Sequence, residues 1–344
     1  MSSSSHVPAD VVLLHFGGPT RREEVQPFLE RLFQDPFIIR APLGTWGRRK
    51  LGEMIARRRW MHTDEQYAKI GYSPINRYTD VQAQHLDKLV RGLNPDSRVH
   101  VVNRYTAPFA REVVPRLERE SSRRLFLATL YPHFSHSTAG SSIRDFDTAW
   151  ETVHGVKTRT STRVFSWWWH QQWVEYSWQA LREALERAVA GVSSDGGGSK
   201  TITVLFSAHG LPQKYADRGD PYPHDIRAHY AELVRRGEAW IRASAAGVEC
   251  KWELSFQSRV GPVEWMRPYT EDVIAASGTK NGGTLVIVPI SFVSDHIETL
   301  YEMDVTYREL SLRSGFSRFE RVKMPNEDPK LAAVIFAVLR DFGL

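Results

Sequence analysis

His209 stands at the end of the apolar run "TITVLFSAHG" (201–210), where an imidazole is either packed in the core or presented to a ligand. Gly210 permits a sharp turn or the close approach of a flat ligand, and Pro212 fixes the exit. A second chemical group lies in "SDHIETLYEMDVTYRE" (294–309). With about 100° per residue, Asp295, Glu298, Glu302 and Glu309 fall within an arc of about 60° on one helical face. Carboxyls that share a face raise one another's pKa values where partly buried. The pattern also suits a capping box, with Asp295 at the N-cap and Glu298 as its partner, and a solvated acidic face beyond. A carboxylate ladder that starts at one strand end and meets a histidine from another makes a path for protons or a cation. Imidazole with carboxylate suits borderline divalent metals such as iron(II). HExxH and Cys/His finger spacings are absent, which argues against a structural zinc. The chain has 13 histidines, so any single one is more often surface or satisfied core. His133 and His136 read as members of a polar loop.

The elements that must position these groups are legible as short apolar runs. Residues 11–16, 98–105, 124–132, 201–210, 249–257 and 284–292 read as strands, nearly continuous in Val, Ile, Leu and Phe. Such runs suit parallel strands buried on both faces. Helical patterns separate them at 23–33, 76–93, 108–120, 173–190, 224–244, 262–277 and 295–311, with a last helix near 328–341. This alternation predicts α/β architecture: two Rossmann-like domains, each a parallel sheet flanked by helices, with a cleft between them. The N-terminal domain is expected over 8–165, with the C-terminal helix in 320–344 packing back on it, and the second over 166–319. "LLHFGGP" and "FSAHGLP" both end a strand on His, Gly and Pro, a faint internal echo. Ligands of open α/β sheets bind beyond the carboxyl strand ends. His15, Arg104, Tyr105, "YPHFSHSTAGSS", His209, "SFQSRVGP" and "SFVSDHIETLYE" all sit at such ends.

Bulk properties narrow the class. The 344 residues are 42% hydrophobic and 25% charged, ordinary for a globular protein. The net charge is +5 and the pI about 9.2, which favours anionic ligands or surfaces. No aromatic and basic interleaving suggests nucleic-acid binding. "MSSSSHVPAD" lacks the apolar core of a signal peptide and reads as a disordered leader, and "AGVSSDGGGSK" (190–200) as an exposed loop. A single cysteine, Cys250, excludes an internal disulfide and any cluster held by four cysteines of one chain, and a reducing cytoplasm fits. "GTWGRRKLGEMIARRRW" (44–60) carries six Lys/Arg and two Trp. It is either a solvated helix or an interfacial or anion-binding lip. "FSWWWHQQWVEYSW" (165–178), with five Trp, reads as packing at a domain border.

Taken in order, "LLHFGGP", "KIGYSPINRYT", "RYTAP", "YPHFSHSTAGSS", "FSAHGLPQKYADRGDPY", "SFQSRVGPVEW" and "PISFVSDHIETLYEMD" closely resemble the ferrochelatases over about residues 11–325. The resemblance implies a lyase-class chelatase that inserts iron(II) into protoporphyrin IX to form protohaem, the last step of haem biosynthesis. It implies catalytic and metal-handling roles for His209 and Glu298, and a proton or metal path through Asp295, His296 and Glu302. It implies porphyrin contacts from Phe16, Arg104, Tyr105, Ser135, Trp265 and Phe292. Arg104 and Tyr105, with Arg40 or Arg48, are expected to hold propionates. Coproporphyrin III, a chelatase for another metal and a non-catalytic porphyrin carrier stand as alternatives. Two departures matter. His136 replaces a cysteine that in some relatives helps hold a [2Fe–2S] cluster, so no cluster and no tightly bound cofactor are expected. "IGYSPI" is one residue shorter than in many relatives. The resemblance leaves monomer or homodimer open, and with them peripheral contact with the inner face of a membrane.

Overall fold

The computed structural model describes residues 7–40, 42–119, 121–194, 200–245, 247–278 and 282–344. The start of the leader and residues 195–199 of the Gly/Ser loop lie outside the described residues. The chain divides into two compact units, Met1–Trp167 with Pro325–Leu344, and Trp168–Met324.

The first unit runs β1 (Ala9–His15), α1 (Arg22–Gln34), α2 (Thr45–Lys69), α3 (Ile75–Leu93), β2 (Arg98–Asn103), α4 (Ala110–Val113), β3 (Arg124–Thr129), α5 (Ser141–His154) and β4 (Ser161–Val164). The second runs α6 (Gln171–Ser194), β5 (Thr201–His209), α7 (Gln213–Asp217), α8 (Tyr222–Ser244), β6 (Glu249–Gln257), α9 (Thr270–Ser277), β7 (Thr284–Val288), α10 (Arg308–Arg313) and β8 (Arg318–Arg321). Helix α11 (Pro329–Asp341) returns to the first unit. There it packs on α3, and the Gln82 amide donates to the Asn326 carbonyl at 2.6 Å. Residues 320–324 stay with the second unit because β8 pairs in parallel with β7.

Each unit holds one four-stranded parallel sheet, in the orders β2-β1-β3-β4 and β6-β5-β7-β8. All seven residues of β1 and all five of β7 are buried, which is why these runs lack the polar alternation of a half-exposed strand. In both sheets the first strand lies between the second and the third. The connections therefore diverge beyond its carboxyl end, the place where such sheets leave a crevice. His15 and His209 occupy this same address in their own sheets.

Several element boundaries differ from the sequence reading, each for a local reason. The helix expected over 108–120 shrinks to α4 and a 3₁₀ turn at Val114–Arg116, because Pro115 cannot donate to the carbonyl four residues back. The one expected over 262–277 begins only at Thr270, beyond Pro262 and Pro268. The edge strands β4 (STRV) and β8 (RFER) are too short and polar to register as apolar runs. The segment 295–311 is not one α-helix. Glu298–Tyr307 forms π-helical turns, bonded i→i+5, and α10 follows.

His229 on α8 shows how firmly the second unit excludes water. It is 1% exposed, with Trp168 and Trp173 ring centroids 6.0 and 6.5 Å away. Burial pushes its imidazole down to about 3, against a weaker opposing effect of Glu232. A histidine depressed in the fold is protonated first in the unfolded chain. Its contribution is complete above the unfolded value near pH 6.5 and is lost as pH falls toward 3. Wild-type protein is expected to lose roughly 2–3 kcal/mol at pH 4.5 through this residue, and His229→Phe to lose that part of the acid sensitivity. Denaturant unfolding at pH 7 and 4.5 checks this; identical acid losses in both proteins would refute it.

Candidate active site

The site in the second unit is built on the carboxyl ends of β5, β6 and β7. Strand β5 delivers His209, whose backbone N–H donates to Ser291 Oγ at 3.1 Å in the loop after β7. That loop leads into the π-helical segment, which delivers Glu298. His209 Nδ1 lies 2.9 Å from Glu298 Oε2, and the two side chains keep 34% and 24% exposure. Facing a carboxylate, Nδ1 carries the hydrogen, which in the neutral ring leaves the lone pair on Nε2. His296 is oriented by Nδ1 donating to the Ser294 carbonyl at 3.0 Å, with Nε2 3.8 Å from Glu298 Oε2. Trp265 and Phe292 are half-buried and complete the surroundings. The Trp265 ring stands edge-on to His209 at 6.3 Å, and the Phe292 ring edge-on to His296 at 4.5 Å.

Glu302 sits one turn on and is held by four donors. Oε1 accepts from the Ser258 N–H at 3.2 Å and the Tyr307 hydroxyl at 2.8 Å. Oε2 accepts from Gln257 Nε2 at 3.1 Å and Ser258 Oγ at 2.5 Å. Gln257 also reaches the Glu298 carbonyl at 3.4 Å, and its Oε1 accepts from Ser207 at 2.6 Å. Ser258 has φ 64°, a left-handed conformation that costs a non-glycine residue roughly 1–2 kcal/mol and aims both its donors at Glu302.

The two glutamates are driven apart electrostatically. Burial opposes the charged form of Glu298, but the His209 charge and hydrogen bond, with those of His296, outweigh it and hold the carboxyl well below its usual range. Burial pushes Glu302 up, and the Glu298 charge adds to that, against the bonds from Ser258 and Tyr307. His209 is raised: burial opposes its charge, and Glu298 more than compensates. A pair of carboxyls with opposite shifts beside a histidine supports distinct acid and base roles.

Other sequence expectations change. The four-carboxylate face does not form. Glu309 is exposed on α10, and Asp295 is no N-cap: its Oδ1 accepts from Arg321 Nη1 at 2.8 Å. The capping contact is made by Thr299 Oγ1, which accepts from the His296 N–H at 3.0 Å. Gly210 is glycine for its neighbours, since a Cβ there would stand 3.0 Å from the Gln257 carbonyl and 3.2 Å from the Trp265 ring. Gln257, Ser258 and Tyr307 were not singled out. The polar end of "SFQSRVGP" is the only signal for the first two. Tyr307 meets Glu302 because i and i+5 are neighbours only in a π-helix.

In the first unit, Phe16, Arg104 and Tyr105 form one network around Asp35, which the sequence reading missed. Tyr105 is fully buried and donates to Asp35 Oδ2 at 2.6 Å. The half-buried Phe16 ring packs edge-on against Tyr105 at 4.6 Å. Arg104 donates to Asp35 at 2.8 Å and to Ser141 Oγ at 2.8 Å, with Asp145 3.4 Å away. Its charge is thus already met by two carboxylates, so it does not stand open for a propionate, and Tyr105 supports Phe16 from behind. Ser135, 1% exposed, caps the turn that follows by accepting the Ser137 N–H at 3.1 Å. Arg48 donates to the Leu43 carbonyl at 2.8 Å, and Arg40 is exposed. His133 is buried rather than in an open loop, whereas His136 is exposed beside Phe134. Among the described residues, no three His, Cys, Asp or Glu side chains are grouped to hold a metal ion.

The chain has relatives among known proteins. The family profile described as Ferrochelatase matches residues 9–341. The ferrochelatase of Thermosynechococcus vestitus is 39% identical over 319 residues, covering 92% of this chain and 78% of that protein. Those of Synechococcus sp. strain RCC307 (38%, covering 94% and 79%) and Synechocystis sp. (35%, covering 96% and 81%) are similar over nearly the same span. A match of this identity over almost the whole length makes the chain a member of the ferrochelatase family.

Proposed function

We propose that this protein inserts iron(II) into protoporphyrin IX to form protohaem, as a lyase-class chelatase, and that His209 and Glu298 carry the chemistry. The observation that supports this most directly is the 2.9 Å contact between His209 Nδ1 and Glu298 Oε2. Insertion exchanges two pyrrole protons for one metal ion, so the site must take up two protons while the iron sheds water. With its Nδ1 hydrogen held by Glu298, neutral His209 has a lone pair on Nε2 that accepts a pyrrole proton or briefly ligates iron. Glu298 then faces an imidazolium, the charge it is placed to stabilise. Glu302 and His296 border this pair and relay the first proton from His209 to solvent, which frees Nε2 to accept the second. A flat porphyrin hides its nitrogen lone pairs, and binding energy that bends the ring exposes them. Trp265 and Phe292, beside His209 and His296, supply aromatic faces for such a ring.

No bound cofactor enters this reading, and iron(II) and the porphyrin are substrates. A single thiol, pushed up to about 12 by burial with a further contribution from Glu238, is a poor cluster ligand. Nucleic acid has no part in the reading, and a cytoplasmic setting fits it. No helix among the described residues is long and apolar enough to cross a membrane. Helix α2 nonetheless exposes Trp46 (74%), Met54 (46%) and Met61 (63%) among Lys50, Arg57 and Arg58, a face suited to an anionic lipid surface.

An anaerobic assay offering iron(II) with protoporphyrin IX or coproporphyrin III tests the reaction; faster turnover of coproporphyrin III would reassign the substrate. His209→Ala and Glu298→Gln are each expected to lower kcat by about 10²–10⁴-fold. Near-normal insertion by His209→Ala would reject its role. The wild type is expected to co-sediment with anionic vesicles at low salt and Trp46→Ala to do so less; equal sedimentation of the two would clear α2 of that role.

A further inference from the structure

Arg321, on the edge strand β8, is a half-buried cation outside the groups assigned above. Its side chain is 13% exposed. It grips Asp304 in a two-point fork, Nε to Oδ1 at 2.7 Å and Nη2 to Oδ2 at 2.9 Å. The remaining arm, Nη1, donates to Asp295 Oδ1 at 2.8 Å. These carboxylates bracket the reacting segment: Asp295 lies three residues before Glu298, and Asp304 two residues after Glu302. One planar guanidinium thus ties both flanks of that segment to a strand of the sheet. Such a tie matters because π-helical turns are rare and occur mostly as short pieces at functional sites, where their neighbours hold them. The fork also fixes direction, which an ammonium cannot do.

We propose that Arg321 is a positioning residue that sets Glu298 against His209, and that Asp295 is its anchor rather than a carrier of incoming iron. This rests on the functional reading above only for its kinetic readout. In the structure Asp295 is 7% exposed and its charge is compensated by Arg321. A carrier must be reachable and must release its cation. An anchor needs only to hold the guanidinium.

Arg321→Met, Arg321→Lys, Asp295→Asn and the double variant Arg321→Met/Asp295→Asn decide between these roles. Steady-state insertion is measured with iron(II) and protoporphyrin IX varied separately, and thermal unfolding is recorded for each variant. Arg321→Met is expected to lower kcat by about 10–100-fold at little-changed KM for iron(II). Arg321→Lys, which keeps the charge but not the fork, should lose part of kcat while remaining folded, and it decides the matter if the methionine variant does not fold. Asp295→Asn should lower kcat less and leave the KM for iron(II) within about twofold, and the double variant should be no worse than Arg321→Met alone. A tenfold or so rise in the KM for iron(II) in Asp295→Asn would make Asp295 a carrier and overturn its assignment as an anchor. Wild-type kcat in Arg321→Lys and in folded Arg321→Met would overturn the positioning role. The ring ¹⁵N shifts of His209, assigned with His209→Asn, report the Glu298 contact without turnover. They should change in the Arg321 variants, and unchanged shifts would overturn the proposal. If the wild type inserted no iron, the functional reading would fail while these shifts still decided the positioning.

Discussion

A parallel strand buried on both faces leaves a polar side chain one outlet, the edge where the strand ends. That constraint organises both sheets. Along β5, residues 202–208 are buried without a break, and the side chain that opens at the carboxyl end is His209. The same edge receives Gln257 from β6 and, after β7, the loop that leads to Glu298. Helices and strands that pack for apolar reasons therefore deliver their few polar groups to one small region, without any local sequence signal that they belong together.

Once delivered, these groups are differentiated by their partners rather than by their types. Glu298 and Glu302 are the same residue one turn apart. The first meets two imidazoles and keeps its charge, whereas the second is desolvated beside that charge and shifts toward its acid form. Ser258 accepts an unfavourable backbone conformation to keep two donors on Glu302, a cost sustained by the surrounding bonds from Tyr307 and Gln257. Asp35 does comparable work in the first unit, where one carboxylate oxygen gathers Arg104, Tyr105 and Ser141.

How much of this was legible depended on the range of the interaction that decides it. Buried runs such as 201–209 and 284–288 announce themselves because apolar content and parallel burial are linked directly. His209 and Glu298 were legible through strand ends, the acidic pattern and family motifs together. The π-helical turns were not, because residue spacing is read on an assumed 100° wheel, which placed Glu309 with the others and Tyr307 on the far side. Asp295 and Arg104 looked like open ligands because their counter-charges, Arg321 and Asp35, are 26 and 69 residues away in sequence. The reason for Gly210 likewise lies in Trp265, a neighbour only in the folded chain.

The matching strand orders put His15 and His209 at one address in two copies of the same scaffold. His15 is 4% exposed and bonded to Thr79 on α3 at 2.8 Å, a post that holds a helix to its sheet. His209 occupies the corresponding post but meets an acid instead of an alcohol. Repetition thus separates two demands that conflict in a single copy, rigidity and reactivity. One half keeps its imidazole as carpentry while the other holds its imidazole half-open against a carboxylate, and a change of partner, not of residue, makes the difference.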